Sequence, residues 1–247
     1  MATILGAIGF QVTLVSGGYK AWRAALVAEL ADIASQFSYR VICGPTGSGK
    51  TRLLHALSAR GAQVLDLEAL ANHRSSVLGH IPGVPQPSQK RFDSIIWNTL
   101  RTFDPALPVF VESESKKVGN LRVPDALMEA MRASACIDLR LPDEQRVALL
   151  LEDYDFFVAD PAHFCSRLKA LVELRGKAVV EGWIEKVEAG KTHEVVLELL
   201  TQHYDPMYAQ SIRRNFKQYD QATVYPLPER SLDTLDLAAR ELMQLAR

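Results

Sequence analysis

The residues most able to do chemistry in this sequence are Gly-Pro-Thr-Gly-Ser-Gly-Lys-Thr at positions 44–51. The run matches G-x-x-x-x-G-K-[ST] in full, with an apolar strand pattern before it and a helical pattern after it. Glycines in such a loop let backbone amides turn around a phosphate, and the helix N-terminus adds its dipole and free N–H groups. We therefore predict a phosphate-binding loop that uses Gly44, Thr46, Gly47, Ser48, Gly49, Lys50 and Thr51.

Within this loop, Lys50 and Thr51 are the predicted catalytic residues, because Lys50 carries a mobile positive charge and the Thr51 hydroxyl can reach Mg²⁺. An acidic group normally helps to position that metal. Four carboxylates follow strand patterns, where ligands bind in open α/β sheets: Asp66, Glu68, Glu112 and Glu114. We predict a magnesium site at Thr51, Asp66 and Glu112, although the sequence leaves open which carboxylate positions the metal.

Composition sets limits on the class of protein. The chain has 247 residues, 48% of them hydrophobic and 23% charged, which is typical of a globular protein with a sizeable core. Its net charge of -1 excludes a polybasic tail protein, so any nucleic-acid contact must come from a local patch. The three cysteines are far apart and form no C-x-x-C, which argues against a disulfide framework or a zinc knuckle. We expect a reducing, cytoplasmic location and no membrane span.

Elements that position the loop follow from the hydrophobic pattern. Strands are predicted at 11–15, 39–43, 64–67, 109–111 and 136–141, with helices between them and a long loop at 72–90. No strand is predicted after residue 159, where five helices follow. This alternation predicts an α/β fold with a parallel, phosphate-loop NTPase-like sheet over 37–158, flanked by helices, and a helical subdomain over 159–247.

Several segments together resemble the bacterial tRNA 2-selenouridine synthase family. They are GPTGSGKT at 44–51, LDLEALANHRSS at 65–76, QPSQKRFD at 86–93, VFVESESKKVG at 109–119 and HYDPMYAQSIRRN at 203–215. That family has an N-terminal rhodanese domain and a C-terminal phosphate-loop domain, and residues 2–23 look like the last helix, strand and helix of the former. The resemblance therefore implies a rhodanese remnant over 1–36. This sequence departs from the family pattern at Ser75, where the family favours glycine.

The resemblance also implies a function. The family is known to act as a transferase on wobble 2-thiouridine of tRNA, first attaching a geranyl group from geranyl diphosphate and then introducing selenium from selenophosphate. The phosphate loop would then bind geranyl diphosphate, or ATP or GTP. The rhodanese cysteine of the family lies upstream of the stretch with which this chain begins, and Cys43 is predicted to be a core residue. We therefore expect geranylation and phosphate-ligand binding to be retained better than selenation, with a rhodanese segment supplied in cis or in trans.

A tRNA partner requires positive charge and stacking surfaces. Local basic groups supply the charge: His73, Arg74, Lys90, Arg91, Lys116, Lys117, Arg122, Arg213 and Arg214. Tyr204, Tyr208 and Phe216 lie around the last pair. His73 and His80 lack a ligand pattern for zinc.

Two other functions stay open at this point. A small-molecule kinase would use the same Gly-rich loop, and a non-catalytic nucleotide- or RNA-binding remnant would retain binding without turnover. The sequence does not separate a nucleotide from geranyl diphosphate as the ligand of the loop, nor does it give the oligomeric state.

Overall fold

The computed structural model describes residues 2–74 and 83–246. Its centre is a sheet of five parallel strands in the order β2-β3-β1-β6-β7. The strands are β1 Tyr39–Cys43, β2 Gln63–Leu65, β3 Val109–Glu112, β6 Ala135–Arg140 and β7 Thr223–Pro226. A separate antiparallel pair is formed by β4 Lys117–Val118 and β5 Leu121–Arg122. β1 is the middle strand, and its apolar run is covered on both faces, as expected for a parallel sheet between helices.

Helices account for most of the remaining chain. They are α1 Ala2–Ala7, α2 Gly18–Ala34, α3 Lys50–Ala59, α4 Leu67–Ala71, α5 Gln89–Leu100, α6 Asp125–Ala133, α7 Asp143–Asp153, α8 Asp155–Ala159, α9 Pro161–Leu168, α10 Val172–Arg175, α11 Lys177–Glu188, α12 Thr192–Glu198, α13 Asp205–Asn215 and α14 Leu232–Leu245. A π-helical segment, Leu199–Tyr204, joins α12 directly to α13. In the described ranges no helix is long and apolar enough to cross a bilayer.

The helices cover the sheet on both faces. Helices α2, α5 and α6 contribute Leu30, Ile96 and Met128 to the apolar cluster on one face. On the other face, α3 packs against α14, and Leu54 and Leu242 belong to the same cluster. These two layers hold the carboxyl ends of the strands at one edge, where the predicted site residues follow β1, β2 and β3.

A third apolar cluster lies outside the two layers. It is built by α8, α9, α11, α12 and the π-helical segment, and it includes Phe157, Phe164, Trp183 and Leu199. Helix α12 packs against α7, which follows β6. This helical region therefore contacts the sheet region on the side from which α7 reaches the phosphate loop.

The fold class predicted from the sequence is confirmed, and strands at 39–43, 64–67, 109–111 and 136–141 are present within one residue or two of their predicted bounds. The three cysteines are free and buried, including Cys43 in the core. The predicted boundaries at 36/37 and 158/159 stay predictions. Ser75 and His80 lie outside the described residues.

Two strand predictions are wrong. Residues 11–15 are irregular and exposed, because no strand of the described ranges pairs with them and alternation alone supplies no ladder partner. Conversely, Thr223–Pro226 forms β7, parallel to β6, after residue 159. This strand lacks an apolar pattern because it is a largely exposed edge strand, and its terminal proline is tolerated there.

Candidate functional site

The loop at 44–51 connects the carboxyl end of β1 to the first residue of α3, as its motif predicts. Gly44 has φ +148°, and a Cβ there would lie 2.7 Å from the Leu139 carbonyl oxygen. Gly49 has φ +88° and is the N-cap of α3. Lys50 turns back over the loop, and its Nζ donates to the Gly44 carbonyl oxygen at 2.9 Å. The loop thus has its ammonium group and the N-terminus of α3 on the same concave side.

Carboxylates gather beside Thr51. The Thr51 hydroxyl donates to Glu112 Oε1 at 2.7 Å, and Glu112 is only 1% exposed at the end of β3. Glu68, Glu112 and Glu114 each offer an oxygen, and these oxygens lie within 4.8 Å of one another. Hard oxygen donors of this kind suit Mg²⁺. The cluster therefore fits the predicted metal, with Glu68 and Glu114 beside the predicted Thr51 and Glu112.

This crowding affects the protonation of Glu112. Burial raises the pKa of the Glu112 carboxyl well above its ordinary value, and the negative charges of Glu68 and Glu114 raise it further. The Lys50 ammonium and the Thr51 hydroxyl act in the opposite direction. A cation bound here would relieve the repulsion among the three carboxylates.

Asp66, the remaining predicted metal residue, lies in the same cleft but has other partners. Its Oδ1 accepts from the Ala69 N–H at 2.8 Å and so caps α4. Its Oδ2 lies 3.3 Å from His55 Nε2. Asp66 thereby fixes the first turn of α4, which carries Glu68 into the carboxylate cluster.

The loop and the carboxylates line one large cleft of about 1050 Å³. Its walls come from the phosphate loop, α4, the segment after β3, α7, the π-helical segment and α13. Both polar and apolar side chains face it, among them Met207, Tyr208 and Phe216. A volume of this size can hold a diphosphate and a nucleoside together.

Arg146 ties the loop to the helical region, and the sequence analysis missed it. Its side chain is 3% exposed, and its Nε and one terminal nitrogen donate to the Thr46 carbonyl oxygen at 2.9 and 2.8 Å. The same guanidinium contacts both carboxylate oxygens of Asp205, at 2.6 and 3.0 Å, at the start of α13. An arginine on an amphipathic helix gives no signal of such a role, because both partners are distant in sequence.

Tyr208 makes a second contact between α13 and the phosphate loop. The Gly44 N–H donates to the Tyr208 hydroxyl oxygen at 2.6 Å, so α13 is attached to both the first and the third residue of the loop motif. Burial raises the pKa of the Tyr208 phenol, which therefore remains protonated at neutral pH. The position of α13 is thus fixed relative to the phosphate loop.

Next to the polar cleft lies a small apolar cavity of about 60 Å³. Its lining is almost entirely hydrocarbon and aromatic: Thr46, Leu150, Leu151, Tyr154, Phe157, Val158, Phe164, Thr192, Val196, Leu199, Leu200 and Tyr204. Four of these residues also line the large cleft: Thr46, Leu150, Tyr154 and Tyr204. A ligand held at the phosphate loop therefore has an apolar recess directly beside it.

The predicted tRNA-binding residues separate into two groups. His73, Arg74 and Lys117 line the cleft. Arg74 lies over the Tyr154 ring at 4.5 Å and also donates to the Asp153 carbonyl oxygen. Arg74 and Lys117 therefore bring positive charge to the cleft that the phosphate loop also lines.

The other six basic residues lie elsewhere on the surface. Lys116 and Arg122 both pair with Asp125, at 3.1 and 3.4 Å. Lys90 lies 5.7 Å from the Tyr19 ring centroid, and Arg213 lies 3.8 Å from Asp220. Arg91 and Arg214 are exposed. Their assignment to tRNA stays a prediction.

Comparison with known proteins adds the family context. Residues 37–167 match the family model described as the tRNA 2-selenouridine synthase AAA domain. The tRNA 2-selenouridine synthase of Nitrosomonas europaea is 41% identical over 149 residues, which cover 59% of this chain and 38% of that protein. The enzyme of the same name from Alcanivorax borkumensis is 31% identical over 235 residues, covering 84% and 64%. That from Sulfurovum sp. is 30% identical over 236 residues, covering 84% and 63%. The chain thus spans less than two thirds of the length of these relatives.

Proposed function

The chain belongs to the tRNA 2-selenouridine synthase family, and from this premise we propose that it alkylates wobble 2-thiouridine of tRNA with geranyl diphosphate. In this proposal the phosphate loop binds the diphosphate, and the apolar cavity takes part of the prenyl chain. The product, S-geranyl-2-thiouridine, is the intermediate from which 2-selenouridine is made with selenophosphate. That second step would draw on a rhodanese segment in cis or in trans.

The observation that carries this proposal is the common wall of the two recesses. Thr46, Leu150 and Tyr154 border both the polar cleft and the apolar cavity. A prenyl diphosphate has the same division, with an anionic head joined to an apolar tail. The cavity has room for about four water molecules, close to the size of one isoprene unit. A nucleoside triphosphate has no apolar tail to fill it.

The chemistry required at the loop is stabilisation of a leaving group. The thiocarbonyl sulfur attacks C1 of the geranyl group, the S–C1 bond forms, and the C1–O bond breaks with its electron pair leaving on the diphosphate. In this proposal the backbone amides of the loop and the Lys50 ammonium, which lies over the loop, would stabilise that developing charge. Mg²⁺, when bound, supplies further positive charge there, and Thr51, Glu68, Glu112 and Glu114 would hold it.

The tRNA would approach through the large cleft. Arg74 and Lys117 would offer positive charge to its phosphates and His73 a polar ring, and the cleft has the volume for an extruded wobble nucleoside. Proteins read the bases of single-stranded RNA loops such as the anticodon loop by unstacking them, so an extruded wobble nucleoside is the form that we expect the cleft to bind.

The test is a product assay with the full chain, a 2-thiouridine anticodon stem-loop, geranyl diphosphate and Mg²⁺, followed by mass spectrometry of the nucleosides. We expect a geranyl adduct, and a rate at least about 100-fold lower for Lys50→Ala because one charged donor to the leaving group is lost. Lys177→Ala, which removes an exposed lysine of α11, is the matched control and should retain the wild-type rate.

Other outcomes would contradict the proposal or support one of the other two functions. Folded protein that neither binds geranyl diphosphate nor forms an adduct contradicts it. Transfer of labelled phosphate from ATP to a small acceptor would support the kinase, and tRNA binding without any turnover would support the non-catalytic remnant.

A further inference from the structure

His203 is a buried histidine in the wall of the large cleft. It is 2% exposed and lines the large cleft, and its sequence neighbours Leu200 and Tyr204 line the apolar cavity. Its ring contacts the Tyr204 ring edge to face, with centroids 4.8 Å apart. Within the described ranges, Nδ1 of His203 is buried without a hydrogen-bond partner. A buried polar nitrogen without a partner is costly unless a ligand supplies one.

The backbone at His203 is also unusual. The residue lies in the π-helical segment Leu199–Tyr204, which interrupts what would otherwise be one long helix from α12 to α13. Such segments cost hydrogen-bond geometry and occur frequently at functional sites. Here the segment sets the angular position of His203 on a helix that packs against the phosphate-loop region.

Two residues C-terminal to His203 hold its segment in place relative to the phosphate loop. Two residues further on, Asp205 is held by Arg146, which also binds the Thr46 carbonyl oxygen. One turn later, Tyr208 accepts from the Gly44 N–H. A group bound at the loop would therefore meet His203 in a defined orientation.

The His203 imidazole is in the protonation state that a general base requires. Burial lowers the pKa of the His203 imidazole, and the positive charge of Arg175 lowers it further. At neutral pH the imidazole is therefore uncharged. The neutral ring carries one unprotonated nitrogen, which can accept a hydrogen bond from a donor that reaches the imidazole from the cleft.

We propose that His203 is the general base that removes the N3 proton of the thiolated wobble base during geranyl transfer. This inference rests on the proposed function. The N3–H bond breaks and its proton moves to the unprotonated ring nitrogen of His203, its electrons form the N3=C2 double bond, and the C2=S π electrons become available to sulfur. The S–C1 bond then forms as the C1–O bond breaks, and the diphosphate leaves with that electron pair. Charge and atoms balance, because the neutral 2-thiouracil ring loses one proton to His203 and gains one geranyl cation equivalent.

The experiment compares wild type with His203→Asn and His203→Gln, which keep a polar side chain of similar shape but provide no base. His193→Gln, at an exposed histidine of α12, is the matched control. Single-turnover geranylation is measured on stem-loops carrying 2-thiouridine or 5-bromo-2-thiouridine, whose N3–H is more acidic. Calorimetry with geranyl diphosphate and thermal unfolding report whether the site and the fold are retained.

We expect His203→Asn to bind geranyl diphosphate like wild type and to react about 100-fold more slowly with 2-thiouridine. The loss should be smaller with the bromo base, because a more acidic proton needs less assistance. A merely structural role would reduce both reactions equally, and that result overturns the inference, as does a wild-type rate in both variants.

A measurement on unmutated protein guards against variants that fail to fold. The wild-type rate should be slower in D₂O if a proton is in transfer, and an identical rate in both solvents contradicts the inference. Failure of the proposed function is distinguishable, because wild type would then form no geranyl adduct at all, and the assignment of His203 would fail with it.

Discussion

The two walls of the candidate site are built in opposite ways. The polar wall comes from one contiguous motif at 44–51 and from carboxylates that directly follow two strands. The apolar wall comes mostly from α7, α8, α9, α12 and the π-helical segment, and its lining residues are scattered along the chain. Phosphate recognition requires a particular backbone path, whereas an apolar recess only requires hydrocarbon side chains that leave space.

This difference shows where specificity lies in such a site. The phosphate loop could serve many phosphorylated ligands, since amides and an ammonium group recognise any diphosphate. In the proposed function, the apolar cavity is the feature that would favour a prenyl tail over a nucleoside. Arg146, on α7 of the apolar wall, joins the two walls because it contacts Thr46 in the phosphate loop and also holds Asp205, next to the π-helical segment.

The largest expected effect comes from breaking that junction. Arg146→Gln leaves Asp205 without its bidentate partner and removes two donors from the Thr46 carbonyl oxygen. We expect the free energy of unfolding to fall by about 3 kcal/mol, measured by urea denaturation. Arg146→Lys, which keeps the charge without the fork, should lose about half as much. An unchanged denaturation midpoint in both variants would contradict the coupling of the walls.

The apolar wall can be blocked alone. Val196→Trp puts an indole into the cavity lined by Val196 and Leu199. We expect the affinity for geranyl diphosphate to fall about 15- to 60-fold, because burial of two or three methylene equivalents is lost. The affinity for inorganic pyrophosphate should not change, as calorimetry would show. Val179→Trp, at an exposed position of α11, is the control. Equal losses for both ligands would mean that the cavity does not bind the tail.

In the polar wall, we expect Glu112 to lower the stability of the fold while it contributes to metal binding. The raised pKa of Glu112 means that the folded state holds its proton more tightly than the unfolded state. Stability therefore falls as pH rises from the ordinary glutamate range through the raised pKa. Glu112→Gln removes the buried charge, and we expect a gain of about 1–2 kcal/mol in the free energy of unfolding at pH 8 without Mg²⁺.

The same variant should bind geranyl diphosphate less tightly in the presence of Mg²⁺, with little difference in its absence. Glu229→Gln provides a control carboxylate on the surface. A destabilised Glu112→Gln, or one whose ligand binding is equally dependent on Mg²⁺, would be inconsistent with a metal site at this cluster.

The smallest effect is expected at the opening of the cleft. Arg74→Gln removes a guanidinium that lies over Tyr154 and lines the cleft. We expect tRNA affinity to fall about threefold to tenfold, with a shallower dependence on salt. Arg91→Gln, at an exposed arginine that does not line the described cleft, should change less. Filter binding at several salt concentrations compares the two, and a larger loss at Arg91 would favour a different RNA path.

Local signals were sufficient for much of the sheet. Tyr39–Cys43 and Val109–Glu112 are continuous apolar runs with site residues directly after them, so their strands and the polar edge follow from the pattern. The strand Thr223–Pro226 did not follow, because an exposed edge strand needs no apolar face. Its pairing with β6 depends on a neighbour that lies more than 80 residues earlier in the chain.

The sequence by itself determined the phosphate loop, since glycines at fixed spacing dictate a backbone path within eight residues. It also determined that carboxylates would gather near Thr51, because parallel strands end at one edge. Only the tertiary structure decided that Glu68 and Glu114 join Glu112, that Arg146 and Tyr208 anchor the loop, and that His203 lies beside an apolar cavity. Those relations join residues distant along the chain, and their distances are set by helix packing rather than by any local preference.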